Sequence, residues 1–102
     1  MKKLILNLRA FILSLKSKTP EKISKILLRE TLQISSAESC TGGLISSRLT
    51  DVSGSSAYVK MNFVTYSNEA KHKILNVSEE TINKYGAVSE QCAREMAQGL
   101  CN

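Results

Sequence analysis

The chain has 102 residues, enough for one domain. Hydrophobic residues make up 42% and aromatics only 5% with no Trp, so any core must be aliphatic. The net charge of +5 is uneven, because eight of the fourteen Lys/Arg fall in residues 1–30 against only Glu21 and Glu30. No aromatic ladder accompanies that basic segment, so it reads as a solvated helix face rather than a nucleic-acid or lipid surface.

The opening MKKLILNLRAFILSLKSK begins like a signal peptide, but Asn7 and Arg9 interrupt its apolar run and no clean cleavage site follows. It is too short and too polar to span a bilayer. Leu4, Leu6, Phe11, Ile12 and Leu15 at helical spacing predict an amphipathic leading helix, and residues 1–18 are assigned as a basic N-terminal extension. Thr19-Pro20-Glu21 is a helix start, with Thr19 as cap, and the helix runs to about Arg29 with Ile23, Ile26, Leu27 and Leu28 buried.

Leu32 to Ala37 reads as a strand, and Glu38 to Gly43 as a tight polar turn into a helix carrying Leu44, Ile45, Arg48 and Leu49. Asp51 to Ser56 is a loop, and Tyr58 to Tyr66 is the best strand candidate, rich in β-branched and aromatic residues. Ser67 or Asn68 caps a helix to about Leu75, Ser78 caps another that Gly86 stops, and Ser89 caps a last one. In that last helix Cys92, Ala93, Met96, Ala97 and Leu100 share a face. Two strands alone do not make a stable sheet, so further strands are expected to pair with them.

Cys40, Cys92 and Cys101 form no CxxC pair and the lone histidine is His72, which argues against structural zinc and fits a reducing cytoplasm. Residues 32–66 have the length of a βαβ unit. Parallel strands would bring Ser39, Thr41, Gly42 and Gly43 to the same sheet edge as Tyr66 and Lys71, where open α/β sheets bind ligands. Glycines entering a helix allow backbone donors to meet an anion, but the spacing is neither a dinucleotide fingerprint nor a P-loop. A serine nucleophile needs a base. His72, between Lys71 and Lys73, reads as a solvent-facing residue. Lys71, in the first turn of its helix, is the candidate base, with an ordinary surface lysine as the alternative.

Four blocks then carry a resemblance: Ala37-Glu38-Ser39-Cys40-Thr41-Gly42-Gly43, Leu49 to Tyr58 (LTDVSGSSAY), Val64 to Lys71 (VTYSNEAK) and Tyr85 to Glu90 (YGAVSE). In order and spacing they resemble the CinA C-terminal domain family over about residues 22–100. The resemblance implies a three-layer α/β/α domain, assigned here to residues 19–102, and a Ser/Lys amidohydrolase that converts nicotinamide mononucleotide to nicotinate mononucleotide and ammonia. It implies Lys71 as base, Ser56 or Ser39 as nucleophile with Ser56 slightly favoured, and Tyr66 supporting proton transfer. Glu38, Thr41, Gly42, Gly43, Ser55 and Asn68 are the implied substrate-binding set. No metal or organic cofactor is implied, and a homodimer is compatible with the family.

The family pattern continues past Asn102 into a Gly-rich strand–turn and further strands, so this domain is expected to be incomplete. That leaves a second class open: a non-catalytic nucleotide-binding or interaction module of the same family. Nucleic-acid binding through residues 1–30 rests on charge alone.

Overall fold

The computed structural model describes Lys2, Lys3 and residues 18–102. Among these residues, three strands form one parallel sheet in the order β1 (Lys2–Lys3), β2 (Leu32–Glu38), β3 (Val59–Val64). β1 precedes the apolar positions on which the leading helix was predicted: Lys2 and Lys3 lie beside Leu32 and Gln33. A two-residue pair of lysines carries no β signature, and its strand character comes from the neighbour it pairs with. The rest of the predicted leading helix lies outside the described residues, apart from Lys18.

Among the described residues, five α-helices accompany the sheet: α1 (Thr19–Arg29), α2 (Leu44–Thr50), α3 (Asn68–Leu75), α4 (Glu79–Tyr85) and α5 (Glu90–Cys101). None is long and apolar enough to cross a membrane. α1 begins one residue earlier than the sequence suggests, with Lys18 rather than Thr19 at the cap position. It buries Leu27 together with Pro20 and Ser24, while Ile26 and Leu28 stay 43% and 54% exposed. The buried stripe therefore runs through 20, 24 and 27, and Ile26 and Leu28 fall on its flanks.

The three hydroxyl caps are where the sequence puts them. Ser67 Oγ accepts from Ala70 N (3.0 Å), Ser78 Oγ from Thr81 N (3.3 Å) and Ser89 Oγ from Cys92 N (3.1 Å). Each satisfies one of the backbone donors that a helix start leaves orphaned.

β2 separates two cores. Leu32 and Ile34 pack with Ile23 and Leu27 of α1, Ile45 and Leu49 of α2, and Tyr58. Ala37 points to the other face and packs with Phe63, Leu75, Val77, Ile82, Cys92, Met96 and Leu100. The alternation of a strand thus puts helices on both faces, giving the α/β/α arrangement. β3 contributes to both cores because the ladder slips: Ile34 pairs with Val59, but Ser36 pairs with Asn62. The extra β3 residue reverses its inside–outside alternation, so Val59 joins the first core and Phe63 the second.

Gly99 lets α5 approach α3 closely. A Cβ at this position would sit 2.1 Å from the Leu75 carbonyl oxygen, so no larger residue fits without moving backbone.

Candidate active site

β2 and β3 end together. Glu38 pairs with Val64, and Thr65 N donates to the Glu38 carbonyl oxygen at 2.9 Å. Ser39 therefore leaves β2 beside the point where Tyr66 leaves β3. Ser67 caps α3 immediately afterwards, and the first turn of that helix carries Lys71 back over the edge. Lys71 is 1% exposed, and its Nζ donates to the Tyr66 carbonyl oxygen at 2.7 Å. The convergence expected from a parallel βαβ unit is present for Ser39, Tyr66 and Lys71. The Tyr66 ring is 70% exposed, so the residue contributes its carbonyl to Lys71 and leaves its ring in solvent. Asn68, the first residue of α3, is exposed at the same edge.

Lys71 is unusual as a buried cation-forming group. Among the described residues no carboxylate forms an ion pair with it, although buried charges are ordinarily paired. Its charge also acts on Cys92 of α5, a fully buried free thiol. Burial pushes the Cys92 thiol up, the Lys71 charge works against that, and Glu95 adds to it. His72 turns away: Nδ1 lies 2.7 Å from the Val77 carbonyl oxygen and Nε2 is 4.0 Å from Glu79. Expected to face solvent, His72 is half-buried, with its ring held between α3 and the chain that follows it.

Ser56 is not at this edge. Ser55–Ala57 form a 3-10 turn that precedes β3, at the sheet edge where Ile34 N donates to the Tyr58 carbonyl. Tyr66 and Lys71 follow the other end of β3. At a rise of about 3.3 Å per residue, a six-residue strand separates Ser56 from Lys71 by roughly 15–20 Å. Ser56, favoured as nucleophile, and Ser55 thus precede β3, while Lys71 follows it at the opposite end of that strand. Parallel strands begin on one edge and end on the other, and GSS precedes the strand.

Glu38, expected among the substrate contacts, is fully buried and already engaged. Oε1 accepts from Thr41 Oγ1 (2.8 Å), Gly43 N (3.2 Å) and Ile45 N (2.9 Å), and Oε2 from Ser46 N (3.0 Å) and Ser46 Oγ (2.7 Å). Gly42 N donates to the Ser39 carbonyl and Leu44 N to the Thr41 carbonyl. The glycine turn thus does not hold its N–H groups open for a ligand anion, because a carboxylate of the chain itself occupies the start of α2. Gly42 and Gly43 are needed for their positive φ, 63° and 111°. Ser46 is the residue that sequence reading missed here. Its signal was available in the alternation that puts residues 34, 36 and 38 of β2 on the α2 face.

No group of three or more His, Cys, Asp or Glu among the described residues is placed to hold a metal ion.

Residues 16–102 match the family model described as the CinA C-terminal domain. The chain belongs to that family. It is 60% identical over 79 residues to a CinA-like protein of Chloroherpeton thalassium, which covers 78% of this chain and 19% of that protein. It is 60% identical over 67 residues to the nicotinamide-nucleotide amidohydrolase PncC of Enterobacter agglomerans, covering 66% of this chain and 41% of that enzyme. Among solved structures, the competence/damage inducible protein CihA from Agrobacterium tumefaciens superposes with a TM-score of 0.79 at 41% identity, over 97% of this chain and 55% of that one. A CinA superfamily protein from Escherichia coli gives 0.77 at 37%, over 96% and 55%. The α/β fold is thus that of the CinA superfamily. The chain spans about a fifth of the length of its CinA-like relative and about half of these solved structures.

Proposed function

We propose that this chain carries the reacting residues of a nicotinamide-nucleotide amidohydrolase, with Ser39 as nucleophile and Lys71 as general base. The observation that carries the reading is the buried Lys71 amine, bound to the Tyr66 carbonyl and without an ion pair among the described residues, at the edge where Ser39 leaves β2. One N–H of the amine is spent on that carbonyl, which leaves the remainder of its hydrogen-bonding capacity for a hydroxyl. The relative named as PncC supplies the substrate class, a nicotinamide nucleotide.

In this reading Lys71 Nζ removes the Ser39 hydroxyl proton as Oγ attacks the carboxamide carbon of nicotinamide mononucleotide. The N–H of Cys40, the residue after the nucleophile, faces the developing oxyanion, as in other strand–turn–helix nucleophile sites. Lys71 then passes the proton to the departing nitrogen, and ammonia leaves. A water that gives its proton to Lys71 hydrolyses the seryl ester, and nicotinate mononucleotide is released with Ser39 restored. In this reading Asn68, exposed at the start of α3, and the turn that carries Thr41 meet the nucleotide. The reaction needs no metal or organic cofactor, and its place is the cytoplasmic recycling of pyridine nucleotides. A second copy of the chain is the partner the family allows.

The test is ammonia release from nicotinamide mononucleotide by the chain beside its Lys71→Ala variant. Release that depends on Lys71 supports the proposal. A folded chain that binds the nucleotide but releases no ammonia replaces it with a non-catalytic binding module.

A further inference from the structure

Glu38 sits directly before the proposed nucleophile, yet its carboxylate touches no open space. Two carboxylate oxygens offer about four lone-pair sites, and five donors between 2.7 and 3.2 Å fill them. The donors come from the turn (Thr41, Gly43) and from the first turn of α2 (Ile45, Ser46). The Glu38 main chain is fixed as well, by its ladder pairing with Val64 and by the Thr65 N–H. Ser36 Oγ lies 3.4 Å from Ser46 Oγ. Because the Ser46 hydroxyl proton goes to Glu38, Ser36 supplies the donor in that contact and extends the network along β2.

α2 carries no ordinary cap. Gly43 occupies the cap position with no side chain, and the carboxylate of a residue on the preceding strand takes over that work. A carboxylate at a helix start is stabilised by both the free N–H groups and the helix dipole.

We infer that Glu38 is a positioning residue for Ser39: its buried carboxylate clamps the 39–43 turn between β2 and α2 and so fixes where the serine hydroxyl stands relative to Lys71. This rests on the reading of Ser39 as nucleophile. Ser39 is held from before by Glu38 in the sheet and from after by Thr41 and Gly43, which are themselves bound to Glu38. The residue acts through geometry and does not contact the substrate.

Glu38→Gln separates this role from substrate binding. An amide nitrogen cannot accept, so at least one of the N–H groups of Gly43, Ile45 and Ser46 loses its partner and the turn shifts. A displacement of about 1 Å at a reacting group costs on the order of 100-fold in rate. The expected result is a kcat lowered by about 10- to 100-fold with KM changed little, because an interaction with the free substrate is not lost. Ser46→Ala, which removes one donor of the five, gives a smaller fall in kcat in the same direction. If Glu38→Gln does not fold, Ser46→Ala carries the kinetic test alone. A raised KM with unchanged kcat would make Glu38 a substrate contact, and unchanged kcat in both variants would end the inference.

Amide hydrogen exchange provides an arm independent of turnover. Protection of Gly43, Ile45 and Ser46 should fall in Glu38→Gln while Phe63 and Val64 in the ladder keep theirs. If the parent chain releases no ammonia, the reading of Ser39 as nucleophile fails while the exchange arm still decides whether Glu38 clamps the turn. Equal protection in parent and variant overturns the clamp.

Discussion

The Lys71 amine donates to the carbonyl oxygen of Tyr66, five residues earlier, at 2.7 Å. That single bond holds an almost fully buried amine over the sheet edge from which Ser39 departs, and no ion pair among the described residues compensates its burial. A group retained at such a desolvation cost is expected to serve chemistry rather than stability.

Lys71→Met should therefore abolish ammonia release while leaving the fold as stable or more so. Replacing a buried polar group by an apolar one of similar volume removes the desolvation penalty and is often stabilising by about 1 kcal/mol or more. For a chain of this size that corresponds to a rise of roughly 4–8 °C in Tm. Thermal melting alongside the assay checks both halves, and a large fall in Tm would show Lys71 to be structural.

Gly99→Ala tests the contact between α3 and α5. Alanine favours a helix interior by about 1 kcal/mol over glycine. Against that, its Cβ would meet the Leu75 carbonyl oxygen at 2.1 Å and the Leu75 carbonyl carbon at 2.8 Å, atoms that cannot swing aside. Overpacking of this kind costs about 1–3 kcal/mol. Urea denaturation should show net destabilisation, and a variant stabilised by the propensity gain would contradict the close approach.

Acid stability should carry the mark of two carboxylates. Burial pushes the Glu38 carboxyl up, but the hydrogen bonds from Ser46, Ile45 and Thr41 outweigh it and hold it below the usual carboxylate range. Glu95 is also held low, by the Thr81 hydroxyl and the Ser78 N–H. In both cases the unfolded chain takes up the proton first. Their contribution is thus complete above the unfolded value of about 4.3 and is lost as pH falls through the lower folded values. Urea midpoints measured from pH 6 to pH 3 should decline below about pH 4.5, and less steeply in Glu38→Gln than in the parent chain.

Much of this was legible in the sequence, for local reasons. Ser67, Ser78 and Ser89 announce their helices because a hydroxyl cap acts within three residues. The meeting of Ser39, Tyr66 and Lys71 follows from two strands that are joined by a helix and run parallel. The same logic sets Ser56 before its strand, at the end of β3 opposite Lys71, whereas the family motif alone had drawn attention to that serine. Glu38 was harder. Its five partners depend on where α2 starts and how α2 lies against β2, which no local pattern specifies. The strand at Lys2–Lys3 and the β3 bulge at Val59–Asn62 are likewise products of pairing and not of composition.

The most direct test of the account is the rate of ammonia release from nicotinamide mononucleotide by Ser39→Ala beside Ser56→Ala. Removal of an acting nucleophile costs on the order of 10³-fold or more. The account predicts that loss for Ser39→Ala and a change of no more than a few-fold for Ser56→Ala. Turnover retained without Ser39 but lost without Ser56 would contradict it.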